Sequence, residues 1–193
     1  KALLARGANP NAQLLTPPPR LRLRRKPTIN LSGATPFLLA AAAGDGNIMR
    51  LLKAGGADPL LAAKDNTTPL MVAAGMNRVQ DFLEGEEKNA LEAVNLALEL
   101  GADVSTANAS GQTALHAAAF LGANTIIEFL VEKGANVNVQ NGCGQTPLSL
   151  AEGTDARGLL QRVTPHDKTA ELLRKLGAGA TPPSGPVGRC VEG

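Results

Sequence analysis

Two short markers alternate along this chain at a nearly fixed interval, so the chain must fold as a row of similar units. The first is Gly-Ala-Asp/Asn, at Gly7-Ala8-Asn9, Gly56-Ala57-Asp58, Gly101-Ala102-Asp103 and Gly134-Ala135-Asn136, with a weaker copy at Gly177-Ala178-Gly179. Four of these copies follow an apolar stripe at helical spacing: Ile48-Met49-Leu51-Leu52, Leu91-Val94-Leu98, Ile126-Ile127-Leu130-Val131 and Leu172-Leu173-Leu176. A glycine straight after such a stripe can take the left-handed conformation that ends a helix, so these are helix stops.

The second marker is a helix start: Thr35-Pro36, Thr68-Pro69, Thr113-Ala114 and Thr146-Pro147. A threonine hydroxyl caps the first turn, and proline at the first helical position gives up no donor the helix needs. From Gly to the next Thr is twelve residues at 56 to 68, 101 to 113 and 134 to 146. From Thr to the following Gly is twenty-one at 35 to 56 and 113 to 134, so twelve and twenty-one make a unit of thirty-three.

Composition fits a thin, layered fold. The 193 residues include four Phe and neither Trp nor Tyr, whereas a single thick core usually spends aromatics on filling it. A net charge of +2 does not make the whole chain a trap for nucleic acid. No apolar run approaches the ~20 residues needed to cross a bilayer, so a soluble segment is expected. The chain opens on Lys1-Ala2-Leu3-Leu4, which has no starting Met and reads as the last turn of a helix. The true N-terminus is therefore expected upstream, and cytoplasmic and exported locations both stay open.

A thirty-three-residue unit of turn, Thr-Pro-Leu-His-x-Ala helix, second helix and Gly-Ala-Asp stop resembles the ankyrin repeat. Thr113-Ala114-Leu115-His116-Ala117-Ala118-Ala119 and Gly134-Ala135-Asn136-Val137-Asn138 match it best, and the overall pattern is also similar to poorly characterised bacterial ankyrin proteins. The resemblance implies an all-α solenoid of helix pairs with short β-hairpin fingers over residues 1–179. It divides into a partial repeat at 1–13, a finger insert at 14–31 and repeats at about 32–64, 65–109, 110–141 and 142–178. Residues 180–193, rich in Gly, Pro and Ser, are expected to be a disordered tail.

The family's contact positions, carried over repeat by repeat, lie on a concave face made by fingers and first helices. Around Thr68 they are Lys64, Asp65, Thr67, Gly75 and Met76; around Thr113 they are Ala109, Ser110, Gln112, Phe120 and Leu121. Around Thr35 they are Leu31, Ser32, Ala34, Ala42 and Ala43; around Thr146 they are Gly142, Cys143, Gln145, Gly153 and Thr154. Met76, Phe120 and Leu121 are large apolar groups on this face. They either anchor a partner or pack against the neighbouring repeat or the second insert.

Three stretches break the period. Thr68 to Gly101 spans thirty-three residues, so twelve are inserted around Phe82 to Ala93, and a longer inter-helix loop is expected there. Thr146 to Gly177 spans thirty-one, placing ten extra residues around Gly153 to Pro165. Gly7 to Thr35 spans twenty-eight, so sixteen are inserted between Leu14 and Ser32. That last insert alternates Arg20, Arg22, Arg24 and Lys26 with Leu21 and Leu23, and adds Arg25. The alternation is strand period, and predicts a finger with leucines on one side and cations on the other.

Catalytic chemistry finds little support. His116 occupies the ordinary Leu-His place of the first helix, where it is expected to hydrogen-bond locally. His166, in Thr164-Pro165-His166-Asp167, reads as a helix start with a Thr cap and Pro in the first turn. Cys143 lies between two finger glycines with no base and orienting group beside it. Two Cys and two His without ligand spacing suggest no metal, and no cofactor is expected. The expected function is a monomeric, non-catalytic module that binds another protein. One alternative is an electrostatic grip on nucleic acid, anionic lipid or an acidic protein through residues 20–26. Another is the binding domain of an enzyme whose catalytic part lies elsewhere.

Overall fold

The computed structural model describes residues 2–15, 32–76, 78, 81–83, 85–153 and 165–179. The basic segment from Arg20 to Lys26, Leu31, Thr154, the tail at 180–193 and most of the insert around Gly153 to Pro165 lie outside the described residues. The helices are α1 (Ala2–Ala5), α2 (Pro36–Ala42), α3 (Gly46–Ala54), α4 (Pro69–Ala73), α5 (Glu86–Glu99), α6 (Ala114–Phe120), α7 (Asn124–Glu132), α8 (Pro147–Ala151) and α9 (Asp167–Lys175). Among the described residues no strand forms, and the fingers are tight turns.

Local chemistry sets the helix starts. The hydroxyl oxygens of Thr35, Thr68 and Thr146 accept hydrogen bonds from the amides of Leu38, Met71 and Ser149 at 3.2, 3.3 and 3.2 Å. A β-region backbone at each Thr presents the oxygen to an amide that has no partner within the helix. The stops are equally local. Gly56, Gly101, Gly134 and Gly177 have φ of +88, +98, +95 and +94°. The alanine after each donates back to Leu52, Ala97, Leu130 and Leu173, satisfying carbonyls the helix leaves open.

Helices pair as α2 with α3, α4 with α5, α6 with α7 and α8 with α9, and first helices stack as α2, α4, α6 and α8 in one layer. The second helices α3, α5 and α7 stack in the other. The core is the seam between layers. Phe37, Met49, Leu70, Leu115, Ile126, Ile127, Leu130 and Leu173 are fully buried there. Each such side chain contributes about 1.5–3 kcal/mol through burial. Ala41, Ala74, Ala118, Ala119 and Ala151, all inaccessible, let the helices approach closely, which is how the chain manages with few aromatics.

The first insertion differs from its expectation as a longer loop. Its last residues join α5, which starts fifteen positions before its stop glycine, whereas α7 starts ten before its own. From Glu86 onward no breaker interrupts the helix, and Glu86 and Glu87 in the first turn suit its positive end. The corner from α4 to α5 carries the remainder. Arg78 pairs with Glu86 at 2.7 Å and stacks 4.5 Å over the Phe82 ring, and Glu86 also accepts from the Leu83 amide. That amide and the guanidinium hold the Glu86 carboxyl below its usual range.

The start of α9 also differs. The helix begins at Asp167 with His166 at the cap position, so Pro165 precedes the helix. The His166 amide donates instead to the Ala151 carbonyl at 2.8 Å, which holds this residue on the preceding helix.

Candidate functional site

The finger tips form one strip along the stack. Each finger is closed by a short backbone bond: Ala63 to Thr67, Asn108 to Gln112 and Asn141 to Gln145, each from amide to carbonyl at 2.9 Å. Two fingers are braced by an asparagine five residues before the Thr. Asn108 Oδ1 accepts from the amides of Ser110 and Gln112, both at 3.0 Å. Asn141 Oδ1 does the same for Cys143 and Gln145 at 2.9 and 3.0 Å. In the remaining finger the Asp65 carboxylate accepts from the Thr67 amide at 3.0 Å. Short polar side chains that bond their own backbone hold a turn without strand pairing.

Successive fingers are chained by one backbone hydrogen bond per junction. The amides of Lys64, Ala109 and Gly142 donate to the carbonyls of Ser32, Asp65 and Ser110 at 3.0, 2.8 and 2.8 Å. Donor and acceptor sit four and three residues before the Thr marker every time, so the tips stand at a constant offset. Sequence reasoning overlooked Asn108 and Asn141, although their common distance from the Thr was the signal.

His116 joins this scaffold. The ring is buried, with Nδ1 at 3.1 Å from the Thr113 amide and 3.0 Å from its hydroxyl, and Nε2 at 3.1 Å from the Gln145 carbonyl. The carbonyl can only accept, so Nε2 carries the proton and Nδ1 accepts. Burial pushes its pKa down to about 4, because the charged form would be desolvated. A neutral imidazole with both nitrogens committed is a tie between α6 and the next finger. It reaches further than the local bond expected of it.

The expected contact residues divide into two groups. Lys64, Ala109, Ser110 and Gly142 are exposed, and Ser32, Asp65, Gln112, Phe120, Cys143 and Gln145 are partly so. Thr67, Met76 and Leu121 are buried at 1, 8 and 4 % exposure, as is Ala34. Leu121 fills the space over Gly75, where an added Cβ would run into Leu121 Cδ1. These apolar groups therefore pack within the stack, and the surface that remains is the row of tips with Phe120 beside it. Cys143 is disulfide-bonded, which removes the thiolate that nucleophilic chemistry requires.

Among the described residues no helix is long and apolar enough to cross a membrane. A family model for ankyrin repeats, in three copies, matches residues 84–175. No curated protein matches the chain. Helix pairs stacked between recurring Thr starts and Gly stops, fingers chained at a constant offset and the match to that model all lead to one assignment: the chain carries ankyrin repeats over residues 84–175.

Proposed function

We propose that this chain is a non-catalytic protein-binding module that reads its partner with the finger tips Lys64, Asp65, Ala109, Ser110, Gln112 and Gln145, with Phe120 as the apolar contact beside them. Ankyrin repeats are in general protein–protein interaction modules. The observation that carries the reading is the one-bond chaining of fingers at Lys64, Ala109 and Gly142. It fixes the spacing of the tips before any partner arrives, so little ordering entropy is lost on binding. The tips differ from one another in charge and polarity, and a rigid backbone with varied tips suits selective recognition.

The test is a pull-down with the wild-type chain and an Ala109→Glu/Ser110→Arg variant, both checked for helix content by circular dichroism. A specific partner recovered by the wild type should be lost by at least about tenfold from the variant, at equal folding. Equal recovery by both would place the contact elsewhere. Binding should also change little between low and moderate salt, because the tips carry mixed charge. A steep loss with salt would favour a cationic contact instead.

A further inference from the structure

We propose that the side of α2 and α3 facing away from α4 and α5 is an open stacking surface, which takes one more helix pair of the same repeat type, running into α1.

Positional equivalence carries the argument. Leu39 lies four residues after its Thr, where Val72, Ala117 and Leu150 are 4, 5 and 8 % exposed; Leu39 is 42 % exposed. Ile48 lies four residues after Gly44, as Ile126 does after Gly122; Ile126 is inaccessible and Ile48 is 48 % exposed. In the later repeats a preceding helix stacks on the helix that carries each of these positions: α2 on α4, α4 on α6, α6 on α8 and α5 on α7.

The occupant can be specified because part of its interface already exists. Leu4 of α1 sits against Gly55 at the end of α3, where an added Cβ would meet Leu4 Cδ1 at 2.7 Å. Ile48 is seven residues before Gly55, so it lies about 10 Å further back along the same helix face. A second helix running into α1 would cover Ile48 while Leu4 stays where it is. The first helix of that pair would cover Leu39.

The size of one side chain of the occupant follows as well. Eight residues after the Thr marker, Leu121 reaches back over Gly75, which lies seven after the preceding Thr. A large residue at plus eight thus meets a small one at plus seven of the unit before. In the α2 unit the plus-eight residue is Ala43, small and exposed. Its complement is a large apolar residue at plus seven, and this chain carries one such residue, Phe120.

The experiment builds the occupant from the chain's own unit. A copy of residues 101–127 fused in front of Lys1 keeps Leu4 and enters in step, since Lys1 and Glu128 each lie six residues before the same stop glycine. The fusion should melt at least about 5 °C above the unfused chain, and amide exchange at Ile48 should slow by about tenfold or more. The same fusion with the copied Phe120→Gly should lose part of the gain. A fusion carrying Leu39→Ser and Ile48→Ser should lose most of it, while the unfused Leu39→Ser/Ile48→Ser chain stays folded because both residues are half exposed. No rise on fusion, or an equal rise with and without Leu39 and Ile48, would overturn the proposal. A melting temperature of the unfused chain that climbs with protein concentration, and stops climbing in Leu39→Ser/Ile48→Ser, would assign the face to a second copy and equally overturn it.

Discussion

The α4/α5 and α6/α7 units begin with the same Thr marker and end with the same Gly stop, yet they are held together differently. In α6/α7 three residues connect the helices, and His116 bonds both its own Thr and the next finger. In α4/α5 the connection runs from Ala74 to Gly85, and Met71 stands where His116 does. Its corner is secured by Arg78 against Glu86 and Phe82, and by Leu121 of the following unit lying over Gly75. The extra residues enter at the end of the unit remote from the fingers. Stacking needs the helix faces and the finger offset, and neither depends on corner length. An ankyrin stack therefore accepts an insertion at the corner while its finger strip stays in step.

The largest effect should come from the contact that replaces the missing short corner. Gly75→Ala puts a Cβ on a backbone of φ +104° and into Leu121, so the backbone and steric penalties add to about 3–4 kcal/mol. Gly85→Ala, in the same corner at φ +85° but with open space around it, should cost only about 1 kcal/mol. Denaturant melts of the two variants measure the difference. Similar losses at both sites would mean the Leu121 contact does not secure the corner.

Next is the pH response of the α6/α7 unit. An unfolded His116 titrates near 6.5 and the folded one at about 4, so the unfolded chain takes up the proton first. The contribution of neutral His116 is complete above pH 6.5 and is lost as pH falls towards 4, to a total of about 3 kcal/mol. His116→Gln keeps a polar side chain but should flatten this part of the stability profile between pH 6.5 and 4. A variant as acid-sensitive as the wild type in that window would show that His116 is not the group responsible.

The smallest effect is a gain. Asn138, four residues after its stop glycine, donates to the Gly177 carbonyl at 3.2 Å and accepts from the Gly179 amide at 2.9 Å. Asn11 brackets Gly56 and Asp58 in the same way at 3.2 and 2.7 Å. Leu60 occupies that place opposite Gly101 and is 51 % exposed. Leu60→Asn should restore the bracket to the α4/α5 unit and raise stability by about 1 kcal/mol, read as a higher urea midpoint at unchanged slope. No change would mean that the turn after α5 is not placed as the other two are.

The sequence by itself determined where the first helices start and the second helices stop, how many residues separate the markers and which layered fold follows. Those signals are local: a Thr hydroxyl and a Gly backbone act on amides and carbonyls within four residues, whatever lies beyond. Finger geometry was nearly as accessible, since Asn108 and Asn141 act on their own turns. Only the tertiary structure decided which side chains on the proposed reading face meet water. Met76 and Leu121 have the same hydrophobicity whether they await a partner or fill a neighbour, and what settles Leu121 is Gly75, forty-six positions away in the chain. The division of the first insertion between loop and helix was also beyond sequence spacing, which counts residues without saying which of them a preceding corner will hold. The exposure of Leu39 and Ile48 was decided last, because in a stack each face is buried or bare according to its neighbour.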